Sequence, residues 1–422
     1  MLGSDTKINF SHRSLEGDRN IMLFDLAVGG HHPEYIQHLA DYWEKEALSG
    51  NLYIVVSPKF FEEHNDVINN VLNCYPSQIK FISITQDEDW NFRKQSNYLI
   101  RTFKQWQIFC KYSIELRVNH CLIMYFDNWQ FLLTLGVNSP CPFSTIYFRP
   151  AFHYQEFVNH VTSWKEVVRQ WRQKLLLFRI LQNPNLRFLF CLDPFAVKHI
   201  AQLSNRVRII HLPDPVRSID SDCYKVEQLK TRVGIDRERR VFLLFGSLNS
   251  RKGVYQLLEA IQMLPSSLCQ RLCLLLAGSV SHSDKSQIEK LIAEISQVLP
   301  IQIIIRDEFI PQSEVQLYFQ AADVILAPYQ RHVGMSGILM QAAAVQKPVL
   351  ASDYGLMGEI TRWYELGLTV DSTKPQAIVQ GLTHFLLESP DCFCNFTKMR
   401  QLAEQNTAER FSTTIFNYIY YE

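Results

Sequence analysis

One recurring unit constrains this chain more than any other feature: a short run of nearly all-apolar residues followed by a segment of helical period. It reads "IMLFDLAV" from residue 21, "NLYIVVSP" from 51, "KFISIT" from 80, "CLIMYFD" from 121, "FSTIYFRP" from 143, "RFLFCLD" from 187 and "VRIIHLP" from 207. A strand with one wet face alternates polar and apolar positions, and these runs do not. They suit a parallel sheet covered on both faces by crossover helices. The polar stretch "LPDPVRSIDSDCYKVEQLKTRVGIDRERR" interrupts the series, which resumes with "RVFLLFGS" at 240, "QRLCLLLAGS" at 270, "IQIIIRDEF" at 301, "ADVILAPY" at 322 and "KPVLASD" at 347. The expected fold is therefore α/β, with two doubly wound, Rossmann-like parallel-sheet domains facing a central cleft and ligands gathering at the carboxyl ends of the strands. The expected boundaries are 1–215 for the first domain, 216–239 for a linker, 240–395 for the second domain and 396–422 for a carboxyl-terminal helix able to cross back to the first.

With 422 residues, 47% of them hydrophobic, the chain can bury sizeable cores. Lys plus Arg equals Asp plus Glu at 42 each, so no global field draws it to nucleic acid, which is not expected as a partner. The ten cysteines include no C-x2-C pair, and Cys392 and Cys394 have no histidines at zinc-ligand spacing. Free thiols in a reducing compartment are the reading, with no metal. The first twenty residues lack an apolar signal core, and no run approaches the roughly 20 apolar residues of a membrane span. A cytoplasmic protein is expected.

Two loops of the second half invite an anion. In "LLFGSLNSRKGVYQLLEAI" a glycine turn at Gly246 precedes Arg251, Lys252 and Gly253 at a helix start, where amide groups and a cation together suit a phosphate. The alternative is a plain turn with a solvated Arg-Lys pair. In "HVGMSGILMQAAAVQKPVLASDYG", Gly334, Ser336 and Gly337 open an alanine-rich helix, so their amides can face an anion without side chains in the way. The alternative is small residues that permit tight packing. One diphosphate serves both loops only if they lie within about 15 Å of each other.

In the first half, Gly29 and Gly30 end the first apolar run, and Pro33 fits the first position of the following helix. The tandem His31-His32 is a weaker candidate than the glycines, because adjacent residues at a helix start do not converge on one point. Asp127 and Arg149 close two predicted strands, with His153 nearby, so each is either an acceptor-facing group or a structural ion-pair member. Residues 163–181 place Trp164, Val168, Trp171 and Leu175 at helical spacing among Lys165, Arg169, Arg172 and Lys174. Such a helix lies on an anionic membrane surface, or packs on the sheet with its basic side solvated; the second reading is preferred.

The stretches "FGSLNSRKGVYQLLEAI", "AADVILAPYQRHVGMSGILMQAAAVQKPVLASDYGLMGEI" and "AERFS" resemble the donor-nucleotide half of GT-B glycosyltransferases, most closely the large retaining family numbered four. The resemblance covers roughly residues 235 to 415; the first half is similar mainly in its strand pattern and early glycine loop, where Gly29 and Gly30 fall. It implies that Gly29, Gly30, Gly246, Ser247, Arg251, Lys252, Gly334, Met335, Ser336, Gly337 and Ile338 hold the donor diphosphate and sugar. Ser247 stands where the family has an arginine. The family's paired glutamates, eight positions apart, are replaced by Val333 and Gln341. A carboxylate accepting from a hydroxyl contributes roughly 1.5–3 kcal/mol against about 1 for a neutral acceptor, so Gln341 can hold a ribose less tightly and Val333 cannot hydrogen-bond a sugar. Phe309, Ile310 and Gln341 fall at the nucleotide base and ribose, Gly355 and Glu359 at the cleft rim, and Asp127, Arg149 and His153 are the catalytic candidates. The resemblance implies a metal-independent hexosyl transfer, with retention, from a UDP- or GDP-sugar to a glycan, lipid or small-molecule acceptor. Two rivals stand beside it: a non-catalytic sugar-nucleotide or glycan-binding partner of an active transferase, and a sugar-nucleotide epimerase, against which the missing carboxylates count.

Overall fold

The computed structural model describes residues 19–74, 78–157, 164–216 and 222–421. The amino-terminal stretch through residue 18, residues 217–221 of the expected linker and Ser163 lie outside these. Each apolar run becomes a strand: β1 (Asn20–Asp25), β2 (Asn51–Val56), β3 (Ile79–Ser83), β4 (His120–Ile123), β5 (Phe143–Tyr147), β6 (Leu186–Cys191) and β7 (Arg208–His211), then β8 (Arg240–Phe245), β9 (Leu272–Ala277), β10 (Gln302–Arg306), β11 (Val324–Ala327) and β12 (Val349–Ser352). They form two parallel sheets, ordered β3-β2-β1-β4-β5-β6-β7 and, with the further strand β13 (Gly367–Val370), β10-β9-β8-β11-β12-β13. Each is doubly wound: the chain builds outward from one central strand and then returns to its other side, leaving a switch point between β8 and β11 in the second sheet.

The second sheet explains why the runs carry no polar alternation. Successive strand residues point to opposite faces. Val241, Leu243, Cys273, Leu275 and Ile325 enter one core with Tyr318 and Phe319. Their neighbours Phe242, Leu244, Leu274, Leu276 and Leu326 enter another with Leu257 and Ile261 of the helix Val254–Gln262. Both faces are dry, so both sets of positions are apolar.

Two features differ from expectation. The edge strand β13, "GLTV", is not among the expected strands, because it opens on glycine and holds only two strongly apolar residues. Within the expected linker, Cys223–Val233 is a helix, capped by Asp222 and ended by Gly234 in the left-handed region at φ 79°, and it buries Leu229. At the carboxyl end the helix Ala408–Ile419 sets its Tyr418 beside Phe188 and Phe190 of β6, with ring centroids 5.3 and 6.2 Å away.

The chain forms two compact units, one up to Leu122 with Pro140–Pro142, the other Ile123–Ser139 with Phe143 onward. In the first, the buried Asp25 at the end of β1 lies 2.5 Å from Nδ1 of the buried His32, at the start of the helix His32–Lys45. Gly30 there has φ +74°, and no atom lies within 4 Å of a Cβ placed at Gly29 or Gly30. The second unit holds β5, β6, β7 and the whole second sheet. Among the described residues the nine characterised cysteines are free thiols.

Candidate functional site

The switch point of the second sheet is built from two turns in contact. Beyond β8, Gly246 has φ +99° and packs against Gly278, at which a Cβ would lie 2.3 Å from the Gly246 carbonyl oxygen. The turn Ser250–Lys252 is capped by Asn249, whose side chain accepts from the Lys252 amide at 3.2 Å. Gly253 then takes φ +77°, and a Cβ there would sit 2.1 Å from the carbonyl oxygen of Pro328, just past β11. Only glycine permits this approach. It brings Lys252 over Tyr329.

The Lys252 ammonium donates to the Phe245 carbonyl at 2.9 Å and to the Tyr329 hydroxyl, and lies 4.4 Å from the centre of that ring. Lys252 is 6% exposed and Tyr329 3%. An ammonium has three donors, and two are used here. Among the described residues no carboxylate pairs with it, whereas buried charges are as a rule paired. Tyr329 is held in turn: its carbonyl accepts from Ser372 Oγ at 2.8 Å, and the next residue, Gln330, donates to the carbonyls of Pro328 and Ser372. Ser336 Oγ reaches the Tyr329 hydroxyl at 3.5 Å. The two anion loops expected from the sequence thus meet on one tyrosine.

His332 lies between them. Its Nδ1 accepts from Arg251 at 3.4 Å and its Nε2 faces the Met335 carbonyl at 3.3 Å, which fits a neutral ring protonated on Nε2. Burial, together with the charges of Arg251, Arg149 and Lys252, lowers its pKa to about 4, against the opposing pull of the Met335 carbonyl. Three cations surround one position.

The loop then enters the helix Gly337–Ala344, whose Leu339 amide donates to the Ser336 carbonyl at 3.0 Å, while the amides ahead of it have no partner within the helix. A Cβ at Gly337 would meet nothing within 4 Å, so this end is open. Ser336 is its N-cap but makes no side-chain capping bond. The Gly334 amide is already taken, donating to the buried Tyr154 hydroxyl at 3.0 Å, and Gly334 adopts φ +100° against Phe148 and Arg149. Gly355, at φ +60°, closes on the same Tyr154 ring. Met335, Ile338 and Val333 pack partly buried on the core. Gln341 Oε1 is buried with no hydrogen-bond partner among the described residues. Glu359 pairs with Arg362 at 3.0 Å, Phe309 is 81% exposed, and Ile310 is buried in the core. Ser247 is exposed, with Asn249 donating to its Oγ at 3.3 Å.

Of the remaining candidates, Asp127 accepts from the Phe148 amide at 3.0 Å, fixing the backbone just before Arg149. Burial raises its pKa to about 6 against the pull of that amide and of Arg149. His153 is only 2% exposed; its Nε2 is 3.1 Å from the buried Asp193, and it packs among Phe152, Tyr154 and Phe157. That enclosure buries it in the core, with the His199 ring stacked on it at 5.7 Å. Sequence reasoning missed Tyr329, His332 and Tyr154. For Tyr329 a signal existed, the carboxyl end of β11 at the switch point; for the other two, only the folded contacts mark them.

Residues 225–410 match the family described as Glycosyl transferases group 1. The group 1 match contains both anion loops, Tyr329 and the helix Gly337–Ala344. A relative is YtcC of Bacillus subtilis (strain 168), provisionally named a glycosyltransferase, 26% identical over 159 residues. That alignment covers 36% of this chain and 38% of the relative, so the chain spans little more than a third of it. Among solved structures, sucrose-phosphate synthase from Thermosynechococcus elongatus superposes with TM-score 0.66 at 16% identity, covering 94% of this chain and 98% of the other. Anabaena Alr3699/HepE in complex with UDP and glucose gives 0.63 at 12% identity, with the same coverages. At such identities the likeness is one of fold, and it is the fold expected from the sequence: two doubly wound parallel sheets of the GT-B kind.

Proposed function

We propose that this chain is a glycosyltransferase that takes a nucleotide-sugar donor at the switch point of its second sheet and moves the sugar to an acceptor hydroxyl. One observation carries the reading: Lys252, a buried ammonium that no carboxylate pairs with among the described residues, shares the Tyr329 hydroxyl with Ser336 at the open end of an α-helix. A diphosphate supplies the missing charge. As the bond from the anomeric carbon to the diphosphate breaks, charge grows on the leaving oxygen, and Lys252, Arg251 and the amides before Gly337–Ala344 are placed to stabilise it. These groups let the transfer proceed without a metal ion. Retention follows if the acceptor attacks from the side of the leaving phosphate, which takes the hydroxyl proton. A UDP- or GDP-sugar is the donor on this reading, with Gln341 Oε1 turned to the ribose.

A second reading, a non-catalytic sugar-nucleotide or glycan-binding partner of an active transferase, draws support from Val333, an apolar side chain where a donor-sugar carboxylate is usual. Peripheral membrane contact at a cytoplasmic face is supported by the helix Trp164–Ile180. Trp164 is 73% exposed and Trp171 66%, on a stripe continued by Val168, Leu175 and Phe178, so the apolar face expected to pack on the sheet is turned outward. Among the described residues no helix is long and apolar enough to cross a membrane. The test is thermal stabilisation by UDP, GDP, ADP and their sugars, followed by donor turnover with and without acceptor mixtures. Stabilisation by one nucleotide class with turnover supports the transferase; stabilisation without turnover supports a sugar-nucleotide-binding partner; no stabilisation by any nucleotide ends the transferase reading and leaves only a glycan-binding partner.

A further inference from the structure

Resting on the transferase reading, we propose that the acceptor carries an anionic group, a phosphate or carboxylate, which docks in an arginine pocket beside the donor loop. A cavity of about 300 Å³ in the second unit is lined by Arg149, Arg169, Arg172, Gln130, Gln173 and Val333, among others, and no carboxylate is part of its wall. Arg149 follows β5 and packs its Cγ toward Gly334. Arg169 and Arg172, three residues apart on the helix Trp164–Ile180, share one face. Gln173 ties the two walls together, donating to the Tyr147 hydroxyl at 2.7 Å and to the Arg149 carbonyl at 3.4 Å. Arg169 hydrogen-bonds the Tyr354 side chain, on which the Glu166 carboxylate also acts, outside the cavity wall. Asp127, whose charge acts on Arg149, is engaged by the Phe148 amide.

Val333 decides the sign of this pocket. A glutamate at this position would face three guanidinium groups and supply their counter-charge from within. With valine the pocket has planar, multidentate donors and no internal anion, the arrangement that recognises phosphate or carboxylate. The pocket is continuous in charge with the donor site, because Arg149 acts on the same His332 as Arg251 and Lys252. It also adjoins the exposed stripe of Trp164, Val168, Trp171 and Leu175 on the same helix. The anion can therefore be soluble, as in a sugar phosphate, or borne by a lipid at a membrane surface.

The experiment uses the full chain with its nucleotide site saturated by whichever of UDP or GDP stabilises it, so that added anions cannot bind at Lys252. Binding of inorganic phosphate, glucose 6-phosphate, and vesicles of phosphatidylglycerol or phosphatidylcholine is then measured for the wild type, Arg172→Gln and Val333→Glu. We expect a phosphate-bearing probe to bind the wild type and to bind each variant about 10- to 100-fold more weakly, through the loss of one charge-assisted contact in Arg172→Gln and through an internal counter-charge in Val333→Glu. Preference for glucose 6-phosphate identifies a soluble acceptor; preference for phosphatidylglycerol over phosphatidylcholine, lost in both variants, identifies a lipid-borne one. Arg172 is exposed, and an unchanged melting temperature of the ligand-free variant checks its fold. Nucleotide binding with no anion binding, or with anion binding equal in all three proteins, overturns the pocket alone. Anion binding without any nucleotide binding removes the donor reading, and with it the assignment to an acceptor.

Discussion

The Lys252 ammonium rests on the face of Tyr329, 4.4 Å from the ring centre, while donating to that residue's hydroxyl. Cation, ring and hydroxyl form one unit, and the ammonium keeps a donor to spend on a ligand. Lys252→Met removes the charge while keeping most of the stem. A charge-assisted hydrogen bond is worth about 1.5–3 kcal/mol, so nucleotide affinity should fall by roughly 10- to 150-fold. Wild type at 100 times its dissociation constant should gain about 2.7 kcal/mol of stability. Thermal titration reads both, and equal titration curves for the two proteins would sink the role.

Tyr329→Phe keeps the ring under the ammonium and removes the hydroxyl shared with Ser336. Nucleotide binding should weaken by less than in Lys252→Met, about three- to tenfold for one neutral hydrogen bond. If it weakens as much, the hydroxyl and not the cation holds the ligand.

Gly253 and Gly337 should respond oppositely to alanine. At Gly253 the left-handed backbone and the Pro328 carbonyl at 2.1 Å leave no room, so Gly253→Ala should cost at least about 1–3 kcal/mol and lower the melting temperature. At Gly337 a methyl meets nothing, so Gly337→Ala should leave stability unchanged or slightly raised, while placing the methyl near the helix-start amides. Reduced nucleotide affinity at unchanged melting temperature is the expected signature.

Tyr154→Phe leaves the Gly334 amide buried without its acceptor at 3.0 Å, an expected loss of about 1–3 kcal/mol in denaturant unfolding. An unchanged midpoint would mean that another acceptor reaches the amide.

His332 gives a pH dependence with a defined sign. Its folded pKa, about 4, lies below the ordinary value of about 6.5, so the unfolded chain binds more protons between them. Wild type should lose stability relative to His332→Gln as pH falls from about 6.5 toward 4. A bound diphosphate offsets Arg251, Arg149 and Lys252 and raises that pKa. Binding of a nucleotide sugar near pH 5 should therefore take up a fraction of a proton, and affinity should rise as pH falls. Calorimetry in buffers of different ionisation enthalpy measures the uptake; zero uptake places the diphosphate away from His332.

How far the sequence reaches varies with the range of the interaction. Apolar runs of strand length announced all the strands but β13: central strands such as β9 are buried throughout, and edge strands such as β10, though half-buried, still carry a run of isoleucines. The edge strand β13, "GLTV", intersperses glycine and threonine and offers no such run. Gly246, Lys252, Gly334 and Gly337 were legible through local chemistry, since a positive φ or a helix start restricts the residue type at that one position.

What the sequence determined by itself was therefore the fold class, two doubly wound parallel sheets, and the two loops that suit an anion. Tertiary structure alone decided that Tyr329 joins those loops, that Tyr154 takes the Gly334 amide, that His153 is sealed against Asp193, and that the tryptophans of Trp164–Ile180 face outward. Secondary structure is written in periodicities within one segment. Which side chain meets which across 80 or 180 positions depends on how the sheets' ends and helices pack, and no local pattern encodes it.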